Sequence, residues 1–325
     1  MKEIEQFYRE LESVINFILE DKEYYDFIDN ALVDYIENAT NKFIYEWNDD
    51  FFEKKCKITL NINALLNEKS STIVLLLRDF LMEKKDNYIE LINYFYFSVL
   101  ECYCEEYFGN KIEKNLNELI SVYFITLSYF SLDDQIVVFK SLIKNIKANN
   151  EFIDDELSET LIPLVFYLSK EKLNSANDNL NNDNLNNDNL NNDNLNNDNL
   201  NNDIEWGIKE FDFNLKYKNF VDGFSHHEDI SSLLNELCNY HISINYPKIN
   251  STENFNHVTY KLIPCEVIVL LRMRELNKLP INNIDHQLIN RFKMFLNKDI
   301  PLSKFNRSLR KSILHKALHK ISQNH

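Results

Sequence analysis

The sequence predicts an all-α protein, a multi-helix bundle or array interrupted by a disordered Asn/Asp-rich pentapeptide-repeat insertion. Three observations carry that expectation. Of 325 residues only three are Gly and five Pro, while 44% are hydrophobic, with 23 Phe and 17 Tyr. So few turn formers argue against a sandwich or barrel and for long helices joined by short polar links. Next, Ile4, Phe7, Tyr8, Leu11, Val14, Ile15, Ile18 and Leu19 recur at the i, i+3, i+4 rhythm of a helix. Last, the unit Asn-Asp-Asn-Leu-Asn runs unchanged from Asn177 to Asn201 and has the period of neither a helix nor a strand.

In chain order, the first helix covers 4–19 and a second covers 22–37. KITLNIN alternates Ile58, Leu60 and Ile62 and is the one strand candidate. Ser71 and Thr72 stand where caps would open the helix STIVLLLRDFLMEKK. Asp86 begins a long aromatic helix that stops near Gly109, a residue suited to a left-handed stop. Ser131 and Asp134 form a capping-box pattern before QIVVFKSLIKNI, and Pro163 in ELSETLIPLVFYLSKEKL predicts a kink or a late helix start. After the repeat, IEWGIKEFDFNLKYKNFVDG resumes apolar content and ends at Gly223. A helix over 229–241 follows, then a polar loop around Pro247. A helix over Leu262–Lys278 has Pro264 at its start, and helices over 286–296 and 303–321 finish the chain.

A leucine at every fifth residue advances about 140° around a helix, so Leu180, Leu185, Leu190, Leu195 and Leu200 share no helical face, and in a strand they alternate sides. One apolar residue per unit cannot offset the ordering entropy of roughly 1–2 kcal/mol per residue, with Asp repeated through to Asp203. A repeat solenoid needs longer units, and calcium-binding repeats need glycines that this unit lacks. The chain therefore divides into an acidic N-terminal helical region (1–173), a low-complexity disordered spacer (174–203) and a C-terminal helical region with a basic tail (204–325). The two helical regions are expected to pack as one body.

Charge is unevenly placed in a chain of net charge -16. Residues 1–170 hold 17 Lys and Arg against 32 Asp and Glu, whereas 291–325 hold nine Lys and Arg against Asp299 alone. The basic tail is expected to fold against the acidic body, and an acidic body makes nucleic acid an unlikely partner because phosphates are repelled. No Gly-rich loop is present to cradle a phosphate or dinucleotide. MKEIEQFYREL shows no apolar secretory segment, and runs such as LINYFYFSVL are too short to span a bilayer, so no membrane is implicated. Five cysteines without paired spacing suit a reduced, cytoplasmic setting in which they serve as small buried hydrophobes. Cys102 and Cys104 are expected on different faces of one helix.

The residues with chemical potential have structural readings. In Ser225-His226-His227-Glu228-Asp229 neighbours point about 100° apart on a helix, so they cannot share one metal, and a polar turn is expected. His315 and His319 lie one turn apart, but Lys316 stands where a zinc protease has its Glu, so a surface or interface pair is expected. His241, His257 and His286 have no partner recognisable in sequence. Asp49-Asp50 and Asp154-Asp155-Glu156 read as caps or solvated faces, and Asp154, Asp155 and Glu156 are weak candidates for contact with a partner. No catalytic, cofactor-binding or metal-ligating residue is assigned, and no enzyme activity or cofactor is expected.

LLNELCNYHISINY, followed by VTYKLIPCEVIVLLRMRELNKLPINNIDHQLINRF, resembles the C-terminal part of the bacterial immunity protein 49 family. The resemblance covers roughly 229–292. It rests on a helix with the late pair Tyr240-His241 and on a helix opened by Leu262-Ile263-Pro264 that breaks before Pro280-Ile281. At that break Asn277-Lys278 stands where the family pattern suggests an Arg-Gly-like turn, and the segment after Ile281 lacks a later proline, so no binding residue is carried over. The resemblance implies an all-helical cytoplasmic protein that neutralises a toxin by binding it. The expected function is therefore a protein-binding module whose acidic body meets a cognate toxin with a basic surface. The alternatives are a helical scaffold without inhibitory role or a metal-dependent helical enzyme using the His-rich C-terminal half.

Overall fold

Ile4, Phe7, Leu11, Ile15 and Ile18 are buried along one stripe of the first helix, as their spacing predicts. The computed structural model describes the chain except residues 1, 39, 41, 50–53, 150–152, 154–159, 183–192, 212–217, 219–229, 246–256, 282–284 and 324–325. Its elements run α1 (Lys2–Glu20), α2 (Lys22–Asn38), β1 (Phe43–Asp49), β2 (Lys54–Leu60), α3 (Ile62–Ser71), α4 (Ile73–Leu81), α5 (Tyr88–Phe108), α6 (Leu116–Tyr129) and α7 (Leu132–Asn149). They continue with α8 (Leu161–Asn182), α9 (Asp193–Glu210), α10 (Ser231–Asn245), α11 (Val258–Leu262), α12 (Cys265–Leu276), α13 (Asn290–Lys293) and α14 (Lys304–Gln323). The all-α class predicted from sequence is what is found: among the described residues the only sheet is the β1–β2 hairpin.

Three helices are enclosed on every side. All residues from Phe95 to Glu105 in α5, from Leu119 to Leu127 in α6 and from Cys265 to Arg272 in α12 are buried. Their neighbours explain it: α5 packs on α3, α4, α6, α7 and α14, while α6 packs on α7, α8 and α12. Cys102 and Cys104 are therefore both buried although they point in different directions. All five cysteines are free, with Cys56 alone partly exposed. Because α12 comes from beyond the repeat, the two helical regions share one continuous core that reaches from Ile4 to Ile313.

Several local expectations hold. Gly109 ends α5 at φ 72°. The Ser131 amide and hydroxyl donate to Asp134 Oδ2 at 3.2 and 2.5 Å, and the Asp134 amide returns a 3.4 Å contact to Ser131 Oγ. Pro163 falls in the first turn of α8, where its missing N–H costs nothing. The basic tail docks on the acidic region: Lys298 pairs with Asp86 at 3.0 Å and Arg310 with Asp133 at 3.3 Å, and Lys316 sits 3.2 Å over the Tyr35 ring.

Others need correction. Ile62 does not extend the strand; Asn61 caps α3 by accepting from Ala64 N at 2.9 Å, so the helix starts at Ile62. The Ser71 and Thr72 hydroxyls donate back to the Glu68 and Lys69 carbonyls at 2.6 and 2.9 Å, closing α3 rather than opening α4. The helix expected over Leu262–Lys278 is present as α12 with Pro264 at its start, as predicted, though it begins at Cys265, and the residues before it form the separate short α11. Over 286–296 only α13 is an α-helix. Asn290 Oδ1 takes the His286 amide at 3.1 Å and His286 Nδ1 takes the Leu288 amide at 3.2 Å, so side chains replace helical acceptors there.

At the repeat, α8 extends to Asn182 and α9 begins at Asp193, so helix continues from each packed flank into the tract. The rest of the tract, 183–192, lies outside the described residues. Leu200, in the last copy, is buried with Ile204, so the packed region already begins inside the repeat rather than after Asp203. Gly207 lets α9 approach α8 closely, since a Cβ there would stand 2.2 Å from Phe166 ring carbons. Among the described residues, no helix is long and apolar enough to cross a membrane.

Candidate functional site

The strand missed in sequence builds a partly exposed aromatic face. FIYEWND places Phe43, Tyr45 and Trp47 at every second position, hence on one face. Opposite them the antiparallel register sets Leu60, Ile58 and Cys56. That face is apolar from Phe43 to Trp47 and ends in the charged pair Asp49 and Lys54. The other face pairs Ile44 with Thr59, Glu46 with Lys57 and Asn48 with Lys55.

Helix α2 covers only the inner half of the apolar face. Phe43 and Leu60 are buried, and Tyr45 lies 5.1 Å from both Tyr24 and Phe27 of α2. Beyond them Trp47 stacks on Tyr45 at 5.8 Å and 18° but remains 40% exposed, beside Ile58 at 41%. A partner that covered the open part of Trp47 would remove about 100 Å² from water, worth roughly 2–3 kcal/mol. Both strands are sheet edges. Lys54, Lys55 and Lys57 charge the β2 edge, which discourages pairing with other strands and leaves the side-chain face as the contact surface.

Acidic groups stand at the base of this face. Asp21 and Glu23 stand just before Tyr24, whose ring contacts Tyr45; burial raises the Tyr45 phenol above its ordinary pKa, and the charges of Asp21 and Glu23 raise it further. The same elbow between α1 and α2 exposes Phe17 at 64% and Leu19 at 54%. An aromatic anchor beside carboxylates suits a partner surface that is apolar at its centre and basic at its margin.

The residues singled out from sequence fall elsewhere. Asp154, Asp155 and Glu156, and the whole Ser225–Asp229 cluster including His226 and His227, lie outside the described residues. His315 and His319 are an exposed pair on α14 with Nε2 atoms 3.2 Å apart. Asp49 stands at the outer end of the hairpin opposite Lys54. Among the described residues no group of three or more His, Cys, Asp or Glu side chains is placed to hold a metal ion.

The segment that carries the family resemblance has structural roles. His241 is fully buried; its Nδ1 meets Glu266 Oε1 at 2.7 Å and its Nε2 meets the Lys261 carbonyl at 3.1 Å. Burial pulls its pKa down, but the Glu266 charge, that hydrogen bond and the Lys261 and Tyr260 carbonyls outweigh it, so the net shift is upward. The ring ties α10 to α12. At the end of α12, Lys278 adopts φ 56°, the left-handed conformation that a glycine turn would supply. Leu279 N bonds to the Arg274 carbonyl at 2.9 Å and Lys278 N to Glu275 at 3.0 Å, which completes a Schellman stop.

Comparison with protein-family models, with curated proteins and with solved structures finds no match to this chain. Fold and site together define a class: an all-helical protein with one projecting hairpin whose aromatic face is half uncovered.

Proposed function

We propose that this chain is a cytoplasmic protein-binding module that occludes a cognate bacterial toxin with a basic surface. The observation that carries the reading is the uncovered outer half of the hairpin face, Trp47 and Ile58, beside Asp21 and Glu23. Tryptophan and tyrosine dominate binding energy where they become fully desolvated, and opposed charge speeds the encounter. The net charge of -16 acts at longer range in the same sense. The resemblance of 229–292 to immunity proteins supplies the toxin as partner.

Co-expression with the product of the neighbouring gene tests the reading. The wild-type chain restores growth, and Trp47→Ala with Ile58→Ser does not, although the variant remains folded. A complex without rescue would instead identify a helical scaffold. Absence of any complex refutes the module itself.

A further inference from the structure

A second feature lies on the opposite end of the charge scale. A cleft of about 730 Å³ opens between α14, the start of α7 and the segment before α14. Tyr129, Phe130, Ile300, Leu302, Leu314 and Leu318 form its apolar wall, and Leu318 is 67% exposed. Four cationic or protonatable side chains, Arg307, Arg310, Lys311 and His315, line it from one helix. Arg307, Lys311 and His315 are exposed and recur at helical spacing, so one ridge of positive charge borders an apolar floor.

Asp134 is the single carboxylate in the lining, and it is already satisfied. Its Oδ1 accepts from Tyr96 and Tyr103 hydroxyls at 2.8 and 3.0 Å, its Oδ2 accepts from Ser131, and Arg310 stands 3.8 Å away. Arg310 is also paired with Asp133 at 3.3 Å, so the positive charge that the lining itself leaves uncompensated is that of Arg307 and Lys311. Its volume lies in the range of small-molecule sites, roughly 300–1,000 Å³, and its wall offers an aliphatic chain a place out of water.

We infer that the cleft binds a small amphipathic carboxylate, a fatty acid of medium chain length, with its chain along Ile300, Leu302 and Leu314 and its head at Arg307 and Lys311. Charge complementarity selects the anion, and the apolar wall selects the chain. This site shares no residue with the hairpin face and stands or falls apart from it.

Titration of the full chain with monomeric laurate, followed by calorimetry, is the test. One saturable site is expected, with dodecanol, the neutral chain of equal length, binding at least about tenfold more weakly because it lacks the charge-assisted contact. Arg307→Glu with Lys311→Glu, both exposed, weakens laurate by about tenfold or more while leaving the melting temperature in place. Leu314→Trp fills the cleft and abolishes binding. The inference is overturned by the absence of saturable binding, by equal affinity for laurate and dodecanol, or by indifference to Leu314→Trp. Tighter binding of an acidic amphipathic peptide, sensitive to the same variants, would assign the cleft to a protein and overturn it as well.

Discussion

Replacing Asp134 with Ala gives the most direct reading of what holds the C-terminal helix to the rest. The carboxylate is 2% exposed and accepts hydroxyls from Tyr96, Tyr103 and Ser131 at 2.8, 3.0 and 2.5 Å, with the Arg310 guanidinium 3.8 Å away. A hydrogen bond to a charged group contributes roughly 1.5–3 kcal/mol, and removing one partner strands the others. Arg310 is left without its buried counter-charge, and water from the adjacent cleft recovers part of the loss. The net cost is expected near 3–5 kcal/mol. For a chain of this size that corresponds to a fall in Tm of roughly 5–8 °C. Asp134→Asn retains one acceptor for the tyrosines but turns an amide donor toward Ser131, so about half that loss is expected. Urea and thermal unfolding of the three proteins measure it. If Asp134→Ala melted within about 1 °C of wild type, the network would contribute nothing and the reasoning would be refuted.

Three further outcomes follow from single positions. Lys278→Gly removes left-handed strain at φ 56° and is expected to stabilise by about 1 kcal/mol in urea unfolding. Gly207→Ala brings a methyl against Phe166; overpacking of roughly 1–3 kcal/mol exceeds the helix-propensity gain, so Tm falls, and Phe166→Leu in the same chain restores part of it. Burial, with Lys114 adding to it, lowers the His257 pKa to about 4, and its Nδ1 accepts from Thr259 N at 3.3 Å. The folded state thus favours the neutral ring: its contribution is complete above about pH 6.5 and is lost as pH falls through 4, at most roughly 1–3 kcal/mol for a partly exposed group. His257→Asn keeps a capping acceptor without titrating, so its stability should decline less between pH 6.5 and 4.

Much of the fold was legible because burial dictates period. The stripe of α1 and the continuous apolar run of α6 are consequences of one-sided and all-round enclosure. Tail docking was legible from charge asymmetry alone. Of the hairpin, β2 was legible in the alternation of KITLNIN but β1 was not, although its signal was present: Phe43, Tyr45 and Trp47 alternate with more exposed residues, but seven residues dense in aromatics also suit a helix. Segment 286–296 was misread because His286 and Asn290 bond to nearby amides, a competition that a hydrophobic pattern does not reveal. The His241–Glu266 contact spans 25 positions and leaves no local mark. The candidate site inherits the same limit, since finding it required the register that places Trp47 beside Cys56 and Ile58 opposite Tyr45.

The account rests on an uncovered aromatic face taking up a basic protein. Its most direct measurement is the dissociation constant for the product of the neighbouring gene, for wild type and for Trp47→Ala. Loss of the surface left open on Trp47 is expected to weaken binding by roughly 30- to 100-fold, mostly through faster dissociation, with no change in Tm beyond about 2 °C. Equal affinity of the two proteins would show that the partner sits elsewhere and would contradict the account.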